Sequence, residues 1–117
     1  MRVLLLITAA TLALSTTAFA QSLSGDQIRE TLVGNTMSGF DDGEVFHEHL
    51  NPNGTISGST PSGNYSGRWR ISGDEICFAY DTDAKSKPKW DCSEVRLRRN
   101  RIIWDDNTTA TLIRRTQ

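Results

Sequence analysis

The two runs that decide the predicted fold are EICFAY at residues 75–80 and KWDCSEVRLR at residues 89–98. Apolar side chains recur at every second position in these runs, the pattern of a β-strand with one buried face. If Cys77 lies across from Cys92 on two antiparallel strands, both sulfur atoms point to one side of the sheet. The apolar side chains that then share the opposite face are Ile76, Phe78, Val95 and Leu97. One register therefore satisfies both the cysteine pairing and the apolar faces.

The chain contains two cysteines, so a single intrachain disulfide can form, between Cys77 and Cys92. An oxidising compartment makes this disulfide the expected state. A redox or nucleophilic role is disfavoured because the two residues lack the Cys-x-x-Cys spacing. We therefore predict a structural Cys77–Cys92 disulfide.

Short runs rich in β-branched and aromatic residues extend on both sides of this pair, separated by Gly, Asn, Asp and Pro clusters. We expect strands over residues 36–40, 44–50, 54–59, 65–71, 75–80, 89–98, 101–105 and 109–114. Such a meander closes most easily into a barrel or sandwich, which removes exposed sheet edges. The predicted fold is mainly β: a small antiparallel β-barrel or sandwich of about eight short strands with one short N-terminal α-helix.

The helix is predicted over residues 25–33, before the strands. Ser24 and Gln27 are three residues apart and match a capping box, in which each side chain bonds the backbone of the other residue. The dipeptide Gly34-Asn35 then ends the helix.

The N-terminus has the features of a cleavable secretory signal peptide, residues 1–20. Arg2 precedes an apolar stretch over residues 3–14, and Ala18-Phe19-Ala20 supplies the small-residue exit that a signal peptidase requires. The apolar stretch is too short for a spanning helix, which needs about 20 residues. We expect a single disulfide-linked domain over residues 21–117, in the periplasm or secreted, with no membrane span after cleavage.

The charge of the expected mature chain is nearly balanced. Arg2 belongs to the predicted signal peptide and would be removed with it. The remaining chain would keep 12 of the 13 basic residues and all 14 acidic ones, a net charge of −2. The basic residues concentrate after residue 67, and four arginines, Arg96, Arg98, Arg99 and Arg101, surround one turn. We interpret them as a solvated hairpin tip and expect no nucleic-acid partner.

Four runs of turn glycines and core aromatics resemble a pattern in small exported proteins of alphaproteobacteria. Those proteins are described as lipocalin-like or as domains of unknown function. The runs are Gly34-Asn35-Thr36, Pro52-Asn53-Gly54-Thr55, Tyr65-Ser66-Gly67-Arg68-Trp69 and Asp74-Glu75-Ile76-Cys77-Phe78. The resemblance implies a periplasmic β-barrel and assigns no catalytic residue.

A metal site is one hypothesis for the run VFHEHL, residues 45–50. On a strand His47 and His49 point to the same face, where two imidazoles can share zinc or copper. Acidic residues of the preceding turn could supply a third ligand, whereas Glu48 faces away. The alternative is a pair of exposed histidines on a polar strand face, with no metal or other cofactor.

The sequence favours a non-catalytic binding protein over an enzyme. No Gly-x-Ser-x-Gly motif is present, and both histidines lie in one three-residue stretch, so no nucleophile, base and orienting group stand out. We expect a monomeric binding protein, lipocalin-like, with an unknown small ligand. The alternative is an interaction module, such as an inhibitor or accessory of an envelope enzyme, that docks through Tyr65, Trp69 and Trp90.

Overall fold

The computed structural model describes Ala10, residues 21–82 and residues 87–116. Apart from Ala10, the predicted signal peptide lies outside the described residues. The elements are β1 (Gln21–Ser22), α1 (Gly25–Leu32), β2 (Thr36–Asp41), β3 (Glu44–Leu50), β4 (Thr55–Thr60), β5 (Gly63–Ser72), β6 (Glu75–Tyr80), β7 (Asp91–Ser93), β8 (Val95–Arg98), β9 (Arg101–Trp104) and β10 (Thr109–Ile113).

All the strands belong to one antiparallel sheet in the order β1-β8-β9-β10-β2-β3-β4-β5-β6-β7. Strand β7, at one end of this order, is followed in the chain by β8, the second strand from the other end, with only Glu94 between them. The sheet therefore curls into a barrel-like form. The prediction of a mainly β, antiparallel barrel-like domain with one short N-terminal helix is confirmed.

The single strand predicted over residues 89–98 is interrupted at Glu94. Strand β7 pairs with β6, whereas β8 pairs with β9 and β1. The amide of Glu94 donates to the Asp105 carboxylate at 3.2 Å, and the Asp105 amide donates to Ser93 Oγ at 3.1 Å. These bonds hold a bend at which the chain exchanges one partner strand for another. The additional two-residue strand β1 was not predicted.

Alternating side chains of every long strand point into the barrel and form its core. In β6, for example, Ile76 is fully buried, and in β8 Val95 is fully buried. Phe78 and Leu97 pack against the same core. The apolar face predicted from residues 75–80 and 89–98 is therefore the inner face of the barrel.

The disulfide between Cys77 and Cys92 is formed, as predicted. The two cysteines are direct partners in the β6–β7 ladder, so their side chains leave the sheet on the same face. That face is the one opposite the buried Ile76. The bond ties the short strand β7 to β6 next to the point where the chain changes partners.

Removal of this disulfide is expected to lower the free energy of unfolding by about 3 kcal/mol, the value for a closed loop of roughly 15 residues. The Cys77→Ser/Cys92→Ser variant and the reduced wild-type protein should show the same loss in thermal or denaturant unfolding. Reductant should leave the double variant unchanged. An unaltered midpoint after reduction, with both thiols labelled, would show that the disulfide does not stabilise the domain.

Helix α1 begins with the predicted capping box. The Ser24 amide donates to Gln27 Oε1 at 2.9 Å, and the Gln27 amide donates to Ser24 Oγ at 3.2 Å. Ile28 and Leu32 are fully buried in the barrel core. The Asp74 carboxylate, in the β5–β6 turn, accepts a hydrogen bond from the amide of Gly25 at 2.9 Å. The helix therefore covers the end of the barrel that carries this turn.

Within residues 21–82 and 87–116, no helix has the length and apolar character that crossing a membrane would require.

Candidate functional site

A cavity of about 540 Å³ lies at the end of the barrel away from α1, and we call it the open-end cavity. Successive turns of an antiparallel meander alternate between the two ends, so the β2–β3 and β4–β5 turns lie opposite the turn that α1 covers. The aromatic side chains that line the cavity walls are Phe46, Tyr65, Tyr80 and Trp104. Phe40, 78 % exposed, stands at the rim. One end of the barrel is thus packed, and the other is open.

The inner part of this cavity contains a buried carboxyl group. Glu48 lies on β3 with 3 % of its surface exposed, and it is the one buried charged residue in the described part of the chain. The Tyr65 hydroxyl donates to Glu48 Oε1 at 3.0 Å, and the Tyr80 hydroxyl donates to the same oxygen at 2.8 Å. Side chains from three strands therefore converge on one carboxyl oxygen.

The environment of this cluster shifts the pKa values of its members. Burial raises the pKa of Glu48, and the two tyrosine hydrogen bonds oppose the rise. Burial also raises the pKa of Tyr65 and of Tyr80 well above the ordinary value, and the nearby Glu48 charge adds to both shifts. Both tyrosines consequently keep their hydroxyl protons and donate them to Glu48 in hydrogen bonds.

Glycines in the sheet make the room that the tyrosine rings occupy. Gly58 is the β4 partner of both Glu48 and Tyr65, and a Cβ at Gly58 would collide with the Tyr65 ring. Gly67 is the β5 partner of Tyr80, and a Cβ there would lie 2.7 Å from the Ala79 carbonyl oxygen. The Tyr65 ring can therefore lie across the sheet and bring its hydroxyl to Glu48.

The aromatic walls are held by contacts between rings. The Tyr65 and Tyr80 rings meet edge to face with centroids 5.8 Å apart. Phe78 and Trp104 meet in the same way at 5.7 Å. Such pairs add about 0.5–1.5 kcal/mol beyond the burial of their area. The walls are therefore largely formed in the protein without a ligand, as is usual for small-molecule sites.

The rim of the cavity is acidic. The carboxylates that line it, in addition to Glu48, are Asp41, Asp42, Glu44 and Asp106, and no lysine or arginine of the described residues is in the lining. Hydrogen bonds from the Thr108 hydroxyl and amide lower the pKa of Asp106. Ser62 donates to the carboxylate of Glu44. The field in the cavity is therefore negative, which favours cationic groups over anionic ones.

The two histidines lie on the outer face of β3, one on each side of Glu48. His47 Nδ1 is 3.0 Å from Ser38 Oγ, and His49 Nδ1 is 3.0 Å from Thr36 Oγ1. Among the residues that the structure describes, no three His, Cys, Asp or Glu side chains come together in a group able to hold a metal ion. The zinc or copper hypothesis stays a prediction for which this region offers no third ligand.

The aromatic residues proposed as an interaction surface lie in three different places. Tyr65 lines the open-end cavity, and Trp69 is in the core with 6 % of its surface exposed. The Trp69 indole donates from Nε1 to the Asn51 carbonyl oxygen at 2.9 Å. Trp90 is half-buried and lies beneath the exposed Arg70, whose guanidinium carbon is 4.1 Å from the ring centroid. The structure does not gather these residues into one exposed patch.

Sequence reasoning placed Glu48 on the face opposite the histidines but did not include it in a site. The available signal is the alternation in β3, where Glu48 shares a face with Phe46 and Leu50. Because those two side chains point into the barrel, the residue between them must do so as well. A single carboxylate between two inward-pointing apolar residues of a strand is therefore the sequence pattern that indicates a buried carboxyl group of this kind.

The fold and the site together define a small antiparallel β-barrel-like domain with one end packed by a helix and the other open as an acidic, aromatic-walled cavity. Comparison of the chain with protein-family models, curated proteins and solved structures finds no significant match.

Proposed function

We propose that this protein is an exported, periplasmic, non-catalytic binding protein of lipocalin-like type that holds a small ligand in the open-end cavity. The observation that carries the proposal is the cavity itself, about 540 Å³ in volume and lined mainly by aromatic and acidic side chains. Small-molecule sites have volumes of about 300–1,000 Å³ and combine apolar walls with a few polar groups. The cavity agrees with this description in size and composition.

The buried carboxyl group supports a binding role for the same place. A carboxylate removed from water destabilises the folded state unless it is fully compensated. Among the residues that the structure describes, Glu48 has two tyrosine donors and no counter-ion. A leucine or methionine there would suit a purely structural core better. We take the presence of a carboxyl group at this buried position as a sign that it serves a ligand.

The proposed compartment follows from the leader and the disulfide. Residues 1–20 have the charged start, apolar middle and Ala-x-Ala exit of a secretory signal. The Cys77–Cys92 bond is of the kind that persists in oxidising compartments such as the periplasm. Export would also place the protein where small molecules arrive from outside the cell.

The test uses fluorescence quenching by amphiphiles that carry bromine at the end of a ten-carbon chain. Three probes share this chain and differ in charge: ω-bromodecanol, ω-bromodecanoate and ω-bromodecyltrimethylammonium. Of the three tryptophans, Trp104 lines the cavity, whereas Trp69 and Trp90 do not. Bromine quenches indole fluorescence on contact, so at least one probe should quench the wild-type protein saturably.

Trp104→Phe should remove the saturable quenching, and the matched control Trp90→Phe should leave it unchanged. If none of the probes quenches Trp104 saturably, or if quenching follows Trp90 instead, the cavity is not the binding site and the proposed function is wrong.

A further inference from the structure

We infer that the open-end cavity selects organic cations, with an amine or quaternary ammonium group bound near Glu48 and an apolar body against the aromatic walls. This inference rests on the proposed function and names the chemical class of the ligand. Three independent features carry it: the charge of the lining, the unused oxygen of Glu48 and the arrangement of the rings.

The charged side chains of the described lining all carry one sign. In residues 21–82 and 87–116, five carboxyl side chains line the cavity, Glu48 inside and four at the rim, and no lysine or arginine does. The arginines of the β8–β9 hairpin line a neighbouring groove, which shares Thr109 with the cavity, and none of them lines the cavity itself. Among the described lining residues an anionic ligand would find no basic side chain, and it would meet five carboxyl groups. A cation would be attracted on approach and compensated after binding.

The inner carboxyl group has an oxygen left for a ligand. Tyr65 and Tyr80 both donate to Oε1 of Glu48, and no described residue donates to Oε2. No fully buried side-chain oxygen or nitrogen is left without a hydrogen-bond partner in the described part of the chain, so Oε2 keeps some exposed surface, and Glu48 lines the cavity. An ammonium group that contacts Oε2 would make a charge-assisted interaction with a carboxyl group that is almost fully buried.

The ring arrangement favours a cation over a neutral group of the same shape. Phe46, Tyr65, Tyr80 and Trp104 line the cavity around Glu48. Aromatic faces attract alkylammonium groups, and rings grouped around a pocket are a common way to recognise them. The same walls also provide apolar area for the body of the ligand. Carboxylate and rings thus favour the same chemical group.

The experiment compares the dissociation constants of the three bromodecyl probes, measured by quenching of Trp104 well below their aggregation concentrations. The wild-type protein should bind the trimethylammonium probe at least about tenfold more tightly than the alcohol. The carboxylate probe should bind more weakly than the alcohol. Glu48→Gln should reduce the preference for the cation over the alcohol to about threefold or less, because the amide retains an acceptor for the tyrosines but carries no charge.

Glu30→Gln is the matched control, since it makes the same change at an exposed carboxylate of α1, at the packed end, and leaves the lining of the cavity as it is. It should change the preference for the cation by less than about twofold, as expected for an exposed charge. The alcohol probe should bind the Glu48→Gln variant as it binds the wild type, which shows that the cavity is intact in that variant.

The outcomes separate the inference from the proposed function. Equal binding of all three probes at Trp104, or tightest binding of the carboxylate, would overturn the cation inference and leave the binding function standing. A cation preference that Glu48→Gln does not reduce would also overturn it, because the charge would then be recognised elsewhere. Absence of quenching at Trp104 by every probe would refute both.

Discussion

Replacement of Trp69 by alanine should lower the free energy of unfolding by about 3–5 kcal/mol, the range for large aromatic side chains removed from a core. Trp69 is almost fully buried beside the helix residues that pack one end of the barrel. Its Nε1 bond to the Asn51 carbonyl oxygen would also be lost, which leaves that oxygen without its indole donor. For a domain of this size the melting temperature should fall by roughly 12 °C or more.

Trp90→Ala is the matched control for Trp69→Ala. Trp90 lies outside the barrel, half-buried under Arg70, so its replacement should cost about 1 kcal/mol or less. Thermal unfolding of the two variants, followed by circular dichroism, measures the difference. Equal losses, or a larger loss for Trp90→Ala, would contradict the placement of Trp69 in the core.

A second large effect is expected on the pH at which the tyrosines ionise, measured by alkaline titration. The chain has two tyrosines, Tyr65 and Tyr80, and both hydroxyls donate to Glu48. Burial and the Glu48 charge raise both pKa values well above the ordinary value near 10. Above pH 10 the unfolded chain therefore loses phenolic protons that the folded protein keeps, and stability falls as the pH rises. Tyrosinate absorbance near 295 nm should appear together with alkaline unfolding.

The Glu48→Gln variant is the control for this titration. Glu48→Gln should bring both tyrosine ionisations to lower pH, since the charge is removed, yet keep them above 10 because burial remains. A tyrosinate transition near pH 10 in a protein whose circular dichroism is still native would contradict the buried Glu48–Tyr65–Tyr80 cluster.

Local patterns in the sequence were sufficient to predict much of the fold. The alternation around Cys77 and Cys92 predicted both the disulfide and the inner face of the barrel. Alternate residues of a strand point to opposite faces of the sheet, so the face of each side chain can be read from its position in the strand. The capping box at Ser24 and Gln27 likewise depends on residues three positions apart. These features need no information about distant parts of the chain.

The features that sequence reasoning missed depend on contacts between distant segments. The bend at Glu94 is held by Asp105, eleven residues later. The sequence of residues 89–98 contains no local pattern that predicts a change of partner strand. The Glu48 cluster combines side chains from β3, β5 and β6. The cluster also needs a glycine at position 58, and this requirement can be recognised only when it is known that Gly58 pairs with Glu48 on one side and with Tyr65 on the other.

The central claim is that the open-end cavity binds an organic cation through Glu48, and NMR chemical-shift mapping tests it most directly. Decyltrimethylammonium added to the ¹⁵N-labelled protein should shift the amides of Glu48, Gly58 and Tyr65 and the indole of Trp104. The amides of the helix end, such as that of Ile28, should stay in place. Shifts concentrated on the outer face or around α1, with the amides of the cavity unmoved, would contradict the account.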